Sequence, residues 1–214
     1  METEKLDFLD KLAQLRADTC SRLPTPQLAV LARLTARLRK CGIIRKSLRP
    51  GETAPDFSFI DRYNNRTNLY QLLEKGPVVV NFFRGMWCPY CRAEVEAYES
   101  VRARIEAMGA TYLAITPQKP TDPSAEPQMI FDKHSDIAHQ FNLVYELADQ
   151  EIAVFEKRGV KLSEINESGR WELPLPATYV IAQDRTVAFQ FVDADFRSRC
   201  CPVDLLHEVE LLQH

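Results

Sequence analysis

Apolar residues recur at three- to four-residue spacing through the first 41 positions, the pattern of amphipathic helices. Leu6, Leu9, Leu12 or Ala13, and Leu15 predict a first helix over 4–21. Leu28, Leu31, Leu34 or Thr35, and Leu38 predict a second over 26–41. Thr25 is placed to cap the second helix, with Pro26 at its first helical position, where a missing N–H costs nothing, and Gly42 closes it. Two such helices form a hairpin whose apolar seam fits the parent domain or a second subunit. From Gly51 the period changes. Phe57-Ser58-Phe59 begins an alternating segment, Asn64-Asn65 reads as a turn, and residues 68–75 read as a short helix closed by Gly76. Val78-Val79-Val80-Asn81-Phe82-Phe83 is a continuous β-branched and aromatic run, as a central strand buried on both faces requires.

A helix is predicted over 89–108, ended by Gly109, and a strand over 110–116. Strand, helix and strand in that order make a βαβ unit with a right-handed crossover. Residues 117–128, with Pro117, Pro120, Pro123 and Pro127, read as an exposed loop. Helical pieces are expected at 132–141 and 150–158, and a polar excursion at 163–173. Thr178–Ala182 and Thr186–Val192 flank the turn Gln183-Asp184-Arg185 and read as an antiparallel hairpin. A last helix is expected over 203–213. The whole predicts an α/β chain in two parts: a helical extension over 1–48 and a main domain over 49–214.

Composition narrows the function classes. Of 214 residues, 45% are hydrophobic and 27% charged, which is globular and not disordered. A net charge of −3 gives no general pull toward nucleic acid or an anionic membrane. No stretch approaches the roughly 20 apolar residues of a membrane span. The start, Met1-Glu2-Thr3-Glu4-Lys5, is charged and leads into no signal-like apolar run, so a cytoplasmic location is expected. Arg33 to Arg49 holds seven basic residues and no acidic one, read as a solvated helix face.

The chemistry lies in the cysteines: Cys20, Cys41, Cys88, Cys91, Cys200 and Cys201. In a reducing compartment an even count implies no disulfide framework, and a C-x-x-C beside a βαβ unit points to thiol redox work. Cys88 and Cys91 stand in Trp87-Cys88-Pro89-Tyr90-Cys91, after the apolar strand and at the start of the following helix. Unpaired N–H groups and the helix dipole there favour a thiolate. Cys91, three residues on, lies on the same helix face, within reach of a disulfide. The alternatives are two packed thiols or half a zinc site. His134, His139, His207 and His214 show no paired ligand spacing, and adjacent Cys200-Cys201 is poorly spaced for a tetrahedral site. That adjacent pair reads as free thiols at a helix start, and Cys20 and Cys41 as structural helix residues.

Ala54-Pro55-Asp56-Phe57, Val78 to Phe83, and Trp87-Cys88-Pro89-Tyr90-Cys91-Arg92-Ala93-Glu94 together resemble the alkyl hydroperoxide reductase/thiol-specific antioxidant family of the thioredoxin-like superfamily. The resemblance runs on through Pro176-Ala177-Thr178-Tyr179-Val180-Ile181. It implies a thioredoxin-like fold, a central mixed sheet flanked by helices, and a thiol-dependent oxidoreductase that reduces peroxides or disulfide bonds. No cofactor is implied; the reductant would be thioredoxin or glutathione, and a homodimer is compatible. Two frames compete within it. In the peroxiredoxin frame Cys91 is the nucleophile with Glu94 behind it, but Arg84, Cys88 and Pro176 stand where the family has its Pro, Thr and Arg. In the reductase frame Cys88 attacks and Cys91 resolves, with Trp87, Pro89, Tyr90 and Glu94 in support and Pro176-Ala177-Thr178 as a cis-proline loop facing the sulfurs. The second frame fits better, and Arg84 reads as an exposed loop arginine. The alternative to an enzyme is a redox-sensing or non-catalytic module that binds a protein partner through the helical extension.

Overall fold

The computed structural model describes residues 2–61, 65–120 and 129–213. Asn64 and residues 121–128, from the expected turn and proline-rich loop, lie outside them. The chain opens with α1 (Glu2–Arg22), α2 (Thr25–Cys41) and a short α3 (Ile43–Lys46). Gly42 ends α2 at φ +72°, the left-handed conformation glycine adopts without strain. The start of α2 differs from expectation: Pro24 occupies the cap, so Thr25 and Pro26 are its first two residues and no side chain caps it. The hairpin packs on its own chain, α1 against the helix that follows Cys88 and against the C-terminal helix, α2 against a helix beyond residue 148.

The main domain begins with an antiparallel ribbon, β1 (Ser58–Ile60) and β2 (Arg66–Asn68), and α4 (Leu69–Leu73). Asn68 caps α4 in a reciprocal box with Gln71. Then follow β3 (Val78–Phe82), α5 (Pro89–Ala107), β4 (Thr111–Thr116), β5 (Met129–Phe131), α6 (Asp136–Gln140), β6 (Val144–Glu146), α7 (Asp149–Lys157) and α8 (Leu162–Ile165). β7 (Glu172–Pro174), β8 (Ala177–Ile181), β9 (Val187–Val192) and α9 (Pro202–Glu210) complete it. The main sheet has the order β5-β4-β3-β8-β9, parallel on the β4–β5 side of β3 and antiparallel on the β8–β9 side. This is the mixed sheet flanked by helices that the sequence implied. β5 was not foreseen, and neither was the β6–β7 ribbon, whose second strand lies in the segment read as polar.

All five residues of β3 are buried, and its two faces feed different cores. Val78, Val80 and Phe82 point to Phe141 and Tyr179, while Val79 joins Phe83, Tyr98 of α5 and Leu205 of α9. Asn81 shares the second face by the two-residue alternation of a strand. One polar side chain is thereby set beneath the first turns of α5.

Candidate active site

β3 delivers the chain to a tight loop, Arg84 to Trp87. Gly85 sits at φ +139°, and a Cβ there would come within 2.5 Å of Trp87 Nε1 and 2.6 Å of Gln118 Oε1, so only glycine fits. Gln118 Oε1 accepts from Met86 N–H at 2.7 Å and pins the loop. Cys88 is the N-cap residue of α5, Pro89 is its first residue and Cys91 lies in its first turn. The Cys88 side chain makes no capping bond. Its sulfur lies beside the unpaired N–H end of a 19-residue helix.

Both cysteines are free and 0% exposed. Each sulfur accepts from a buried guanidinium. Arg84 Nη2 donates to Cys88 Sγ at 3.0 Å, and Arg199 Nη2 donates to Cys91 Sγ at 3.2 Å. Arg84 is 2% exposed, which corrects the expectation of an exposed loop arginine. Its plane is buried against the rings of Phe196 and Trp87, 4.1 and 5.1 Å from their centroids. Arg84 Nε–H and Nη1–H complete no hydrogen bond of good geometry among the described residues, and the buried Tyr145 hydroxyl faces the guanidinium closely enough to feel its charge and its N–H groups. Nor do the described residues place three or more His, Cys, Asp or Glu side chains to hold a metal ion.

The two thiols differ in electrostatics. Burial disfavours the Cys88 thiolate, but hydrogen bonding from Cys91 and the charges of Arg84 and Arg199 outweigh it, so the Cys88 thiol is held well below its ordinary range. Burial and then the adjacent Cys88 sulfur push Cys91 well above that range despite Arg199. Within the pair the thiolate is therefore favoured on Cys88 and the thiol on Cys91.

Glu94, one turn beyond Cys91, is 1% exposed and sets its Oε2 3.1 Å from Arg199 Nε. Neither atom has a hydrogen-bond partner among the described residues, so the contact between them is one of charge. Burial pushes Glu94 up to about 7, against the Arg199 charge and a hydrogen bond with Asn81. Between its ordinary value of 4.5 and that value, the folded protein holds a proton the unfolded chain has lost. Stability should therefore fall by roughly 3 kcal/mol as pH rises through that window. Glu94→Gln should flatten that segment in denaturant titrations across pH; an unchanged slope would reject the assignment.

Thr178 and Pro176 are placed differently from expectation. Thr178 accepts from Asn81 Nδ2 at 3.3 Å and lies 3.0 Å from the Tyr98 hydroxyl, so it supports the network beneath Glu94 and bonds to neither sulfur. Pro176 is buried in the two-residue link between β7 and β8, and the described residues contain no cis peptide bond, so the expected cis-proline loop is not formed. Trp87 meets Phe155 edge-on at 5.6 Å, and Tyr90 packs inward and bonds to α1. Cys200 and Cys201 are free and buried, Cys201 at the N-cap of α9, whereas Cys20 and Cys41 are helical but exposed. Arg199 was not among the residues singled out in the sequence; its one signal is its place in Arg197-Ser198-Arg199, between two apolar segments.

The fold recurs among solved structures. Peroxidoxin BcpB from Mycobacterium tuberculosis aligns with a TM-score of 0.56 at 19% identity, over 77% of this chain and 98% of that one. The reduced 2-Cys peroxiredoxin of Plasmodium vivax aligns at 0.56 and 17% identity, over 77% and 82%. A yeast mitochondrial 1-Cys peroxiredoxin, described by a thiol resolving mechanism via glutathione/thioredoxin systems, aligns at 0.55 and 15% identity, over 78% and 76%. At such identities these likenesses speak for the fold alone. No curated protein matches the sequence. Residues 50–190, which carry all but the end of the sheet's last strand, the dithiol and Glu94, match the AhpC/TSA family, and the chain belongs to that family.

Proposed function

We propose that the chain is a thiol peroxidase in which Cys88 attacks the peroxide and Cys91 resolves the product. The observation that carries this is the pair of guanidiniums on the two sulfurs: Arg84 on Cys88 at 3.0 Å and Arg199 on Cys91 at 3.2 Å. A peroxide needs a thiolate and cationic N–H donors that stabilise charge as the O–O bond breaks. Arg84 offers both: one N–H on the sulfur and further buried N–H groups, shared with Tyr145, that can turn to the substrate oxygens. These guanidiniums stand in for the Thr hydroxyl and strand Arg of the family pattern.

The chemistry balances in two steps. The Cys88 thiolate attacks one peroxide oxygen, the O–O bond breaks, and the departing alkoxide or hydroxide takes a proton, leaving Cys88 as sulfenic acid. Cys91 then attacks Cys88 Sγ, gives up its thiol proton and expels water, forming the Cys88–Cys91 disulfide. An external thiol of the thioredoxin or glutathione class returns the pair to dithiol. Reduction of disulfide substrates is less well supported, because both sulfurs are sealed from the bulk of a protein substrate.

One equivalent of hydrogen peroxide should convert the reduced protein to the Cys88–Cys91 disulfide, read by peptide mass spectrometry. The rate of that oxidation should stay flat as pH rises through the ordinary thiol range near about 8.5, because Cys88 is already ionised below it. A rate that climbs with pH like that of free cysteine would remove the basis of the proposal.

A further inference from the structure

Both reacting sulfurs are fully buried, so a substrate needs a way in, and on the side of Tyr90 two pieces of chain pack over the site. One is the segment before α9. The Phe196 ring meets Tyr90 edge-on at 5.9 Å and carries the Arg84 guanidinium on its face. That segment is anchored from within: Arg199 is buried on Cys91 and Glu94, and the Cys200 carbonyl accepts from the Tyr98 hydroxyl at 3.1 Å.

The other cover is α1. Phe8 and Leu12 belong to the same buried cluster as Cys88, Cys91, Tyr90 and Phe196. The Tyr90 hydroxyl, between the two cysteines in sequence, donates to the Leu15 carbonyl at 3.1 Å and lies 3.0 Å from Thr19 Oγ1. Arg16 reaches Ser198 Oγ at 3.5 Å, so α1 also touches the first cover. Yet α1 is weakly seated: its 21 residues bury only Phe8 and Leu12. Leu15 is only partly covered, and the other anchors include ion pairs open in part or wholly to solvent, Lys5–Asp204 at 2.6 Å, Lys11–Glu96 at 2.9 Å and Glu4–Arg104 at 3.4 Å, which salt screens. Elements with few buried contacts open first.

We propose that α1 is the selectivity element of the dithiol site. Seated on Tyr90, it admits to Cys88 only peroxides about the size of hydrogen peroxide; bulky hydroperoxides and protein thiols reach the sulfurs only when α1 lifts. This rests on Cys88 being the reacting sulfur, but the test below reads access and not peroxidase chemistry.

The test uses the full-length reduced chain with Cys20→Ser and Cys41→Ser, which removes the two exposed thiols. Modification of Cys88 is followed by peptide mass spectrometry with a small reagent, methyl methanethiosulfonate, and a bulky one, a polyethylene-glycol maleimide. Leu12→Ala with Thr19→Val should speed the bulky reagent by about tenfold or more and the small one far less. Lys5→Ala with Lys11→Ala, which disturbs no buried group, should give the same split more weakly, and raised salt should reproduce it in the parent protein. If the first pair of substitutions prevents folding, the lysine pair decides. Equal acceleration of both reagents, no acceleration in the lysine pair, or equal rates in the parent protein each overturn the proposal. A clear split with no oxidation of Cys88 by hydrogen peroxide would overturn the peroxidase reading and leave the selectivity role standing.

Discussion

Cys88→Ser is expected to lower peroxide turnover by roughly three orders of magnitude or more, the usual consequence of removing a nucleophile. Serine keeps the shape and accepts from Arg84, but it puts no charge opposite the buried guanidinium, so circular dichroism and a denaturant titration of the variant accompany the rate. Cys91→Ser should behave differently. Its hydroxyl can still donate to the Cys88 sulfur, so the first step survives, and one equivalent of peroxide is consumed in a single burst. Sulfenic acid then accumulates on Cys88 and is trapped by dimedone, while steady turnover with a dithiol donor is lost because no internal disulfide forms. The opposite pattern, sulfenic acid on Cys91 in the Cys88→Ser protein at the parent rate, would restore the competing frame, in which Glu94 stands three residues behind the attacking cysteine. The electrostatics argue against that frame: Cys91 is pushed up and Cys88 down, and the thiolate is favoured on the sulfur that Arg84 contacts.

The sequence disclosed the framework of the site and concealed its arginines. Burial on both faces writes β3 as an unbroken apolar run, and the glycine-containing loop with C-P-x-C after it marks a strand-to-helix turn. Three-residue elements such as β5, β6 and β7 carry too little period to show. On α1 the phase was misjudged. Leu6, Leu9, Leu12 and Leu15 repeat at intervals of three, and each such step falls about 60° short of a turn, so the row winds around the helix. The face that packs is Phe8 and Leu12 with Lys5, Leu15 and Thr19 partly covered, which leaves Leu6 53% and Leu9 43% exposed. Arg84 was visible as a residue but not as a buried one, because its cover, Phe196, lies far along the chain. Arg199 meets Cys91 across 108 positions, and no local pattern encodes a contact at that separation.

The two arginines should fail in different currencies. Arg84→Met removes the charge-assisted bond to Cys88, worth about 1.5–3 kcal/mol, so the rate with hydrogen peroxide at neutral pH should drop roughly 10- to 100-fold and recover in part as pH is raised and the thiol ionises. Arg199→Met should cost mainly stability. It leaves Glu94 facing an uncharged side chain in a buried site, and breaking a buried pair by deleting one partner typically costs about 3–5 kcal/mol. That loss should be largest at high pH, where Glu94 is otherwise ionised, and smaller below the value of about 7 at which it already holds its proton. Arg199→Met combined with Glu94→Gln should recover much of the lost stability, because no buried charge then remains unpaired. Denaturant titrations of the parent, both single variants and the double variant at two pH values complete the cycle. A double variant no more stable than Arg199→Met at either pH would mean that the pairing with Glu94 is not what Arg199 contributes, and its role would reduce to holding Cys91.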